Sequence, residues 1–86
     1  MDMVERFGKN LAIQRERAGL SQEELAFRAS LHRTAISLSE TGKREPRLET
    51  LVKLAGALEI PVEALLDGIS WEPIRYVTGG LKVSDP

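Results

Sequence analysis

Eighty-six residues, 42% hydrophobic and 29% charged, make one domain with room for a single small core. The absence of cysteine excludes disulfides and thiolate metal sites, and a lone histidine, His32, argues against a histidine-built zinc site. The formal charge is −1, too balanced for a protein that binds nucleic acid over its whole surface. No apolar run approaches the roughly 18 residues needed to cross a bilayer, and no apolar segment follows Met1–Arg6 as a secretory signal requires. The expectation is a soluble, cytoplasmic protein with no metal, no cofactor and no membrane partner.

In chain order, Val4, Phe7, Leu11 and Ala18 lie near one face of a first helix, roughly Met3 to Ala18. Ile13 falls off that stripe and Gln14 falls on it. Gly19 stops the helix, because glycine alone takes the left-handed conformation without cost. Ser21-Gln22-Glu23-Glu24 then forms a capping box, with hydroxyl and carboxylate positioned to serve each other's backbone N–H. It opens a second, short helix that buries Leu25, Ala26 and Ala29. Ser30-Leu31 leaves space only for a tight turn. A third helix follows at about Arg33 to Thr41, with Ala35 and Ile36 inward and Gly42 at its end. Lys43 to Arg47 reads as a loop, because Pro46 and its neighbour resist helix. The fourth helix, about Leu48 to Leu58, carries the stripe Leu48, Leu51, Leu54, Ala55 and Leu58. Pro61 suits the first turn of a fifth, with Val62, Leu65 and Leu66 inward and Gly68 as terminator. Residues 1–68 therefore predict a compact all-α domain of five helices.

The pattern changes in the tail, residues 69–86. Ile74 to Thr78 and Leu81 to Val83 flank Gly79-Gly80, and β-branched and aromatic residues around a Gly-Gly pair signal a β-hairpin. A lone hairpin is marginal in water. The tail must dock on the helices, pair with a second chain or stay disordered. Trp71 and Tyr76, two of the four aromatic residues, are the expected anchors. The tail is expected to help the chain dimerise.

Charge is concentrated where helices two and three meet the following loop. From Arg28 to Arg47 the chain carries Arg28, Arg33, Lys43, Arg44 and Arg47 against Glu40 and Glu45, while the remainder is net acidic. Such polarity orients a molecule toward phosphate. Helices two and three also have the dimensions of a helix-turn-helix whose second member fits a DNA major groove. Ser21-Gln22-Glu23-Glu24-Leu25-Ala26, His32-Arg33-Thr34-Ala35-Ile36-Ser37, Glu40-Thr41-Gly42-Lys43-Arg44-Glu45-Pro46 and Leu51-Val52-Lys53-Leu54-Ala55-Gly56-Ala57-Leu58 resemble the Cro/C1-type (xenobiotic-response-element, lambda-repressor-like) family over about Phe7 to Gly68.

The resemblance implies a sequence-specific transcriptional regulator that binds double-stranded DNA as a homodimer on a palindromic operator. It assigns Gln22 to a backbone phosphate and to bracing the recognition helix. It places Arg33, Thr34 and Ser37 on the reading face, with Leu38 beside them. Arg33 is suited to guanine O6 and N7, and Thr34 to a base edge or a thymine methyl. Thr41, Lys43, Arg44 and Arg47 fall to phosphate contacts, which position without reading. Three residues depart from the family pattern. Ser30 stands where the turn usually has glycine, and Gln14 replaces an apolar residue. Ser39 takes a core position, so either the helix rolls to bury Leu38 or Leu38 faces DNA or a partner. No nucleophile–base pair, metal cluster or phosphate loop points to an enzyme. The alternative is a protein-interaction module, or an antitoxin or restriction–modification controller using the same helices.

Overall fold

The computed structural model describes residues 1–74 and 79–85. Within them lie α1 (Met3–Arg17), α2 (Gln22–Ala29), α3 (Arg33–Glu40), α4 (Leu48–Leu58), α5 (Val62–Leu65), β1 (Ile69–Glu72) and β2 (Gly80–Val83). The five expected helices form at nearly the expected limits, and the tail carries a two-stranded antiparallel sheet.

Local chemistry sets most of the boundaries. The Ser21–Glu24 capping box forms in both directions, and a second one, Asp2 with Glu5, opens α1. Four helix ends close alike. At Gly19, Ser30, Gly42 and Glu59 the backbone turns left-handed, and the N–H groups of that residue and the next bond back into the last helical turn. Ser30 has φ 54° and Glu59 φ 55°. The serine therefore takes the glycine role in the helix-turn-helix, at the steric cost that a Cβ brings to this region.

The core lies between α1 and the other helices. Leu11, Leu25, Ile36, Leu54 and Leu65 are fully buried with Phe7 beside them, and each such side chain contributes about 1.5–3 kcal/mol. Three expected core residues fall outside. Ala18 lies past the end of α1 and is exposed. Leu66 follows α5 and is 38% exposed. Leu48 is 77% exposed, because it opens α4 nearly two turns before the helix's first buried residue, Leu54.

The hairpin begins earlier than its turn signal suggested. Ile69 pairs with Val83, Ser70 with Lys82, Trp71 with Leu81 and Glu72 with Gly80. Pro73 ends β1, since it has no N–H for the ladder. Ile74 is in no strand, and the rest of the expected strand, with Tyr76, lies outside the described residues. Gly79-Gly80 is thus the point where the chain re-enters the ladder, not a two-residue turn. A Cβ at Gly79 would stand 2.6 Å from the carbonyl oxygen of Glu72. Half-buried Ile69 packs on the helical core, whereas Trp71, the expected anchor, is 64% exposed.

Arg6 fastens this tail. Its buried guanidinium donates to the carbonyls of Asp67 (3.0 Å) and Ser84 (2.7 Å), bracketing both ends of the hairpin. Asn10, one turn further along α1, donates to the carbonyls of Leu65 and Asp67.

Candidate nucleic-acid interface

The inner side of α3 is held by charge and by close contact. Arg15 of α1 grips Glu40, the last residue of α3, with Nε to Oε2 at 2.6 Å and Nη2 to Oε1 at 3.0 Å. Its third arm donates to the carbonyl of Leu20 in the α1–α2 turn. Gln22 Nε2, from the first residue of α2, donates to the same carboxylate at 3.1 Å. One carboxylate thereby ties α1, α2 and α3, with the Glu40 side chain 8% and the Arg15 side chain 15% exposed. The hydrogen bonds from Arg15 to Glu40 raise the arginine pKa further, so the guanidinium keeps its charge at any working pH. Beside it, α1 crosses α3 at Gly8, where an added methyl group would overlap the carbonyl oxygens of Ser39 and Glu40.

This crossing answers the question left open by Ser39 and Leu38. The helix has not rolled. Ile36 and Ser39 are buried against α1 and α2, and Leu38 is half-buried. Leu38 is therefore not the uncovered side chain that a protein-binding reading would favour.

The outer side is built differently. Arg33 and Thr34 open α3 and are exposed, while Ser37 is half-buried. Arg33 borders a groove that it shares with Arg15, Ser21, Gln22 and Glu23. On the other flank, Arg44 and Arg47 border a second groove with Ala35, Ser39 and Thr50. Lys43, Arg44 and Arg47 are all exposed. Thr41 is also exposed, but its hydroxyl donates back to the Ser37 carbonyl at 2.9 Å. Among the described residues, Arg33, Lys43, Arg44 and Arg47 enter no ion pair. Glu40 sat inside the basic window of the sequence, yet its charge is spent on Arg15, leaving Glu45 alone against the basic side chains there.

The helix starts follow the same division. Side chains cap α1 and α2, but none caps α3 at His32 or α4 at Arg47. In α3 the Ala35 N–H donates to the His32 carbonyl at 3.0 Å; the N–H groups of Arg33 and Thr34, like those that open α4, are left to solvent or to an anion.

Sequence reasoning missed the Arg15–Glu40–Gln22 cluster, although a signal existed. Arg15 stands four residues after Leu11 and Glu40 four after Ile36, so each puts a charge on a buried helical face, and the charges are opposite.

A short helix fixed from behind, with cations at its exposed start and in the loop after it that are unpaired among the described residues, and preceded by a tight turn from a capped helix, defines a helix-turn-helix module of the transcription-regulator class. The helix-turn-helix family HTH_3 matches residues 11–65, and the chain belongs to this Cro/C1-type (xenobiotic-response-element) family. It is 30% identical over 80 residues to the HTH-type transcriptional regulator YqaE of Bacillus subtilis (strain 168), covering 93% of this chain and 69% of that one. It is 40% identical over 62 residues to the control protein C.BamHI of Bacillus amyloliquefaciens, covering 71% and 76%. The crystal structure of the restriction–modification controller C.AhdI from Aeromonas hydrophila superposes with a TM-score of 0.71 at 40% identity, covering 72% of this chain and 94% of that one.

Proposed function

We propose that the chain is a sequence-specific DNA-binding regulator of transcription, acting in the cytoplasm as a homodimer on a palindromic operator, and that it performs no catalysis. The observation that carries this is the outer face of α3. Among the described residues Arg33, Lys43, Arg44 and Arg47 are exposed without ionic partners around a helix whose inner end is bonded to α1 and α2 through Glu40. At about 1.5 Å per residue, α3 is about 12 Å long, a match for a major groove about 12 Å wide.

In this arrangement Arg33, Thr34 and Ser37 read base edges, and the open edge of Leu38 meets a thymine methyl. Thr41, Lys43, Arg44 and Arg47 hold phosphates, together with the uncapped N–H groups of α3 and α4. Gln22 keeps one amide hydrogen on Glu40 and offers the other to a phosphate. The C.AhdI match supports a narrower reading, control of a restriction–modification system.

Selection from a random double-stranded DNA pool tests the reading. The expected product is a palindrome with half-sites about one helical turn apart. Arg33→Ala then weakens specific binding by about 1–3 kcal/mol and relaxes one base position. Arg44→Ala weakens binding to all sequences and lowers the salt slope by about one. Folded protein that enriches no motif at low salt would refute the reading and favour a protein partner.

A further inference from the structure

The family match ends at residue 65, before the hairpin begins at Ile69, so the hairpin is an addition to the shared module. It is amphipathic. Side chains alternate along a strand, and paired residues share a face. Ile69, Trp71, Leu81 and Val83 therefore form one apolar face, while Ser70, Glu72 and Lys82 form the other, closed by a Lys82–Glu72 ion pair at 3.0 Å. Burial falls along the apolar face. Ile69 and Val83 are half-buried against the body, but Trp71 and Leu81 are 64% and 47% exposed. The hairpin leaves the body after its first pair and carries an uncovered tryptophan with it.

An apolar groove of about 160 Å³ opens at the base of the same face. Its walls include Val4 and Phe7 of α1, Leu51 of α4, Leu66 and Ile69 itself. The exposed Trp71–Leu81 pair and the groove are joined through Ile69, which belongs to the hairpin's apolar face and to the groove wall. A surface with an apolar knob beside an apolar hollow can complement a second copy of itself: a two-fold axis lays each knob over the other copy's hollow. We propose that two copies of the chain exchange hairpins, with Trp71 and Leu81 of each seated in the Leu51–Leu66–Ile69 groove of the other.

Area supports a second copy as the occupant. A buried aromatic side chain covers about 150–250 Å², short of the about 800 Å² per partner of a stable interface. The remainder is at hand, because Leu48 and Val52 flank Leu51 along α4 and are 77% and 57% exposed. Arg6 makes the exchange precise by pinning both ends of the hairpin to α1.

The inference rests on the homodimer part of the proposed function, and its test needs no DNA. Trp71 is the only tryptophan and the chain has no cysteine, so both probes report cleanly. Sedimentation and tryptophan emission are followed together while the full-length protein is diluted. Emission should shift to longer wavelength over the range in which the dimer dissociates. Trp71→Ser with Leu81→Ser, both at exposed sites, should raise the dimer dissociation constant at least tenfold with the helical circular dichroism intact; an unchanged constant overturns the proposal. A mixture of Trp71→Cys and Leu66→Cys chains should cross-link to each other under mild oxidation. Cross-linking only between two Trp71→Cys chains would mean tip-to-tip contact and overturn the exchange. A dimer whose Trp71 emission stays that of an exposed indole overturns it too, while leaving the homodimer reading in place. A chain monomeric at every concentration overturns both, and the pool selection then decides DNA binding separately.

Discussion

The two sides of α3 are made of similar residues put to opposite use. On the inner side, Glu40 accepts three hydrogen bonds, Arg15 spends all its arms, and Gly8 brings two backbones into contact. On the outer side, arginines and a lysine stand in solvent without ionic partners among the described residues. The difference separates rigidity from recognition. A helix that reads DNA needs its orientation fixed before the partner arrives, so that binding does not have to order it. Inner-side substitutions should therefore cost stability first and binding as a consequence. Outer-side substitutions such as Arg33→Ala should cost binding alone.

The hardest test of this division is Glu40→Ala. It leaves the Arg15 guanidinium largely buried with only the exposed Glu16 carboxylate, 4.0 Å away, as counter-ion, and frees Gln22. Removing one partner of a buried pair costs about 3–5 kcal/mol, and that loss should appear in urea denaturation without DNA present. Equal stability of wild type and Glu40→Ala would show that the inner side does not hold α3. Gly8→Ala comes next. Its methyl group meets backbone carbonyls that cannot swing away as a flexible side chain would. An overpacking cost of about 1–3 kcal/mol follows, with α1 and α3 pushed apart and operator affinity reduced in step with stability.

Sequence chemistry made the helix limits legible because they depend on near neighbours. Gly19, Gly42, the Ser21–Glu24 box and Pro46 each act within one turn, and all five helices followed from such marks and from apolar spacing. What depended on distant partners was not legible. The stripe of α4 could not tell that Leu48 lies beyond the reach of the core. Arg15 and Glu40 are 25 residues apart, and nothing local links them. The hairpin was placed by its glycines, whereas Pro73 and the grip of Arg6 on Asp67 and Ser84 decide its register. In the interface, the exposure of Arg33, Thr34, Lys43, Arg44 and Arg47 was readable from their position on the module. That Gln22 braces α3 was read from the resemblance, but its partner Glu40 and the partial cover of Leu38 were not legible, since both depend on how the helices pack.

The turns allow the comparison to be sharpened in the opposite direction. Ser30 and Glu59 hold left-handed backbones, which costs a residue with a Cβ about 1–2 kcal/mol. Glycine recovers that cost but gives back about 0.5–1 kcal/mol in chain entropy. Ser30→Gly and Glu59→Gly should each stabilise the fold by about 0.5–1 kcal/mol on this balance. Glu59 also sets a negative charge at the C-terminus of α4, where the helix dipole disfavours it, so its gain should be the larger. Ser30→Gly joins α2 to α3 without touching the outer face, and operator affinity should stay at the wild-type value. A loss of affinity with a gain of stability would mean that strain at Ser30 helps to aim α3.

The smallest effect is expected at the capped start of α2, beside the groove that Arg33 borders. The Glu24 carboxylate accepts from the backbone N–H of Ser21 at 3.0 Å while its own N–H donates to the Ser21 hydroxyl. These bonds, first among them the one from the Ser21 backbone, hold the Glu24 pKa below its ordinary value of 4.5. A carboxyl depressed in the folded chain stabilises the fold above its unfolded value, and that contribution disappears as pH falls through the lower folded value. The α2 start should therefore stay closed at neutral pH and begin to loosen only below about pH 4.5. Following the Ser21 amide by NMR during acid titration should give an inflection below 4.5. Glu24→Gln, which keeps an acceptor but cannot ionise, should abolish the inflection. An inflection at or above the ordinary glutamate value would mean that the box is open in solution, and that α2 begins as unguarded as α3.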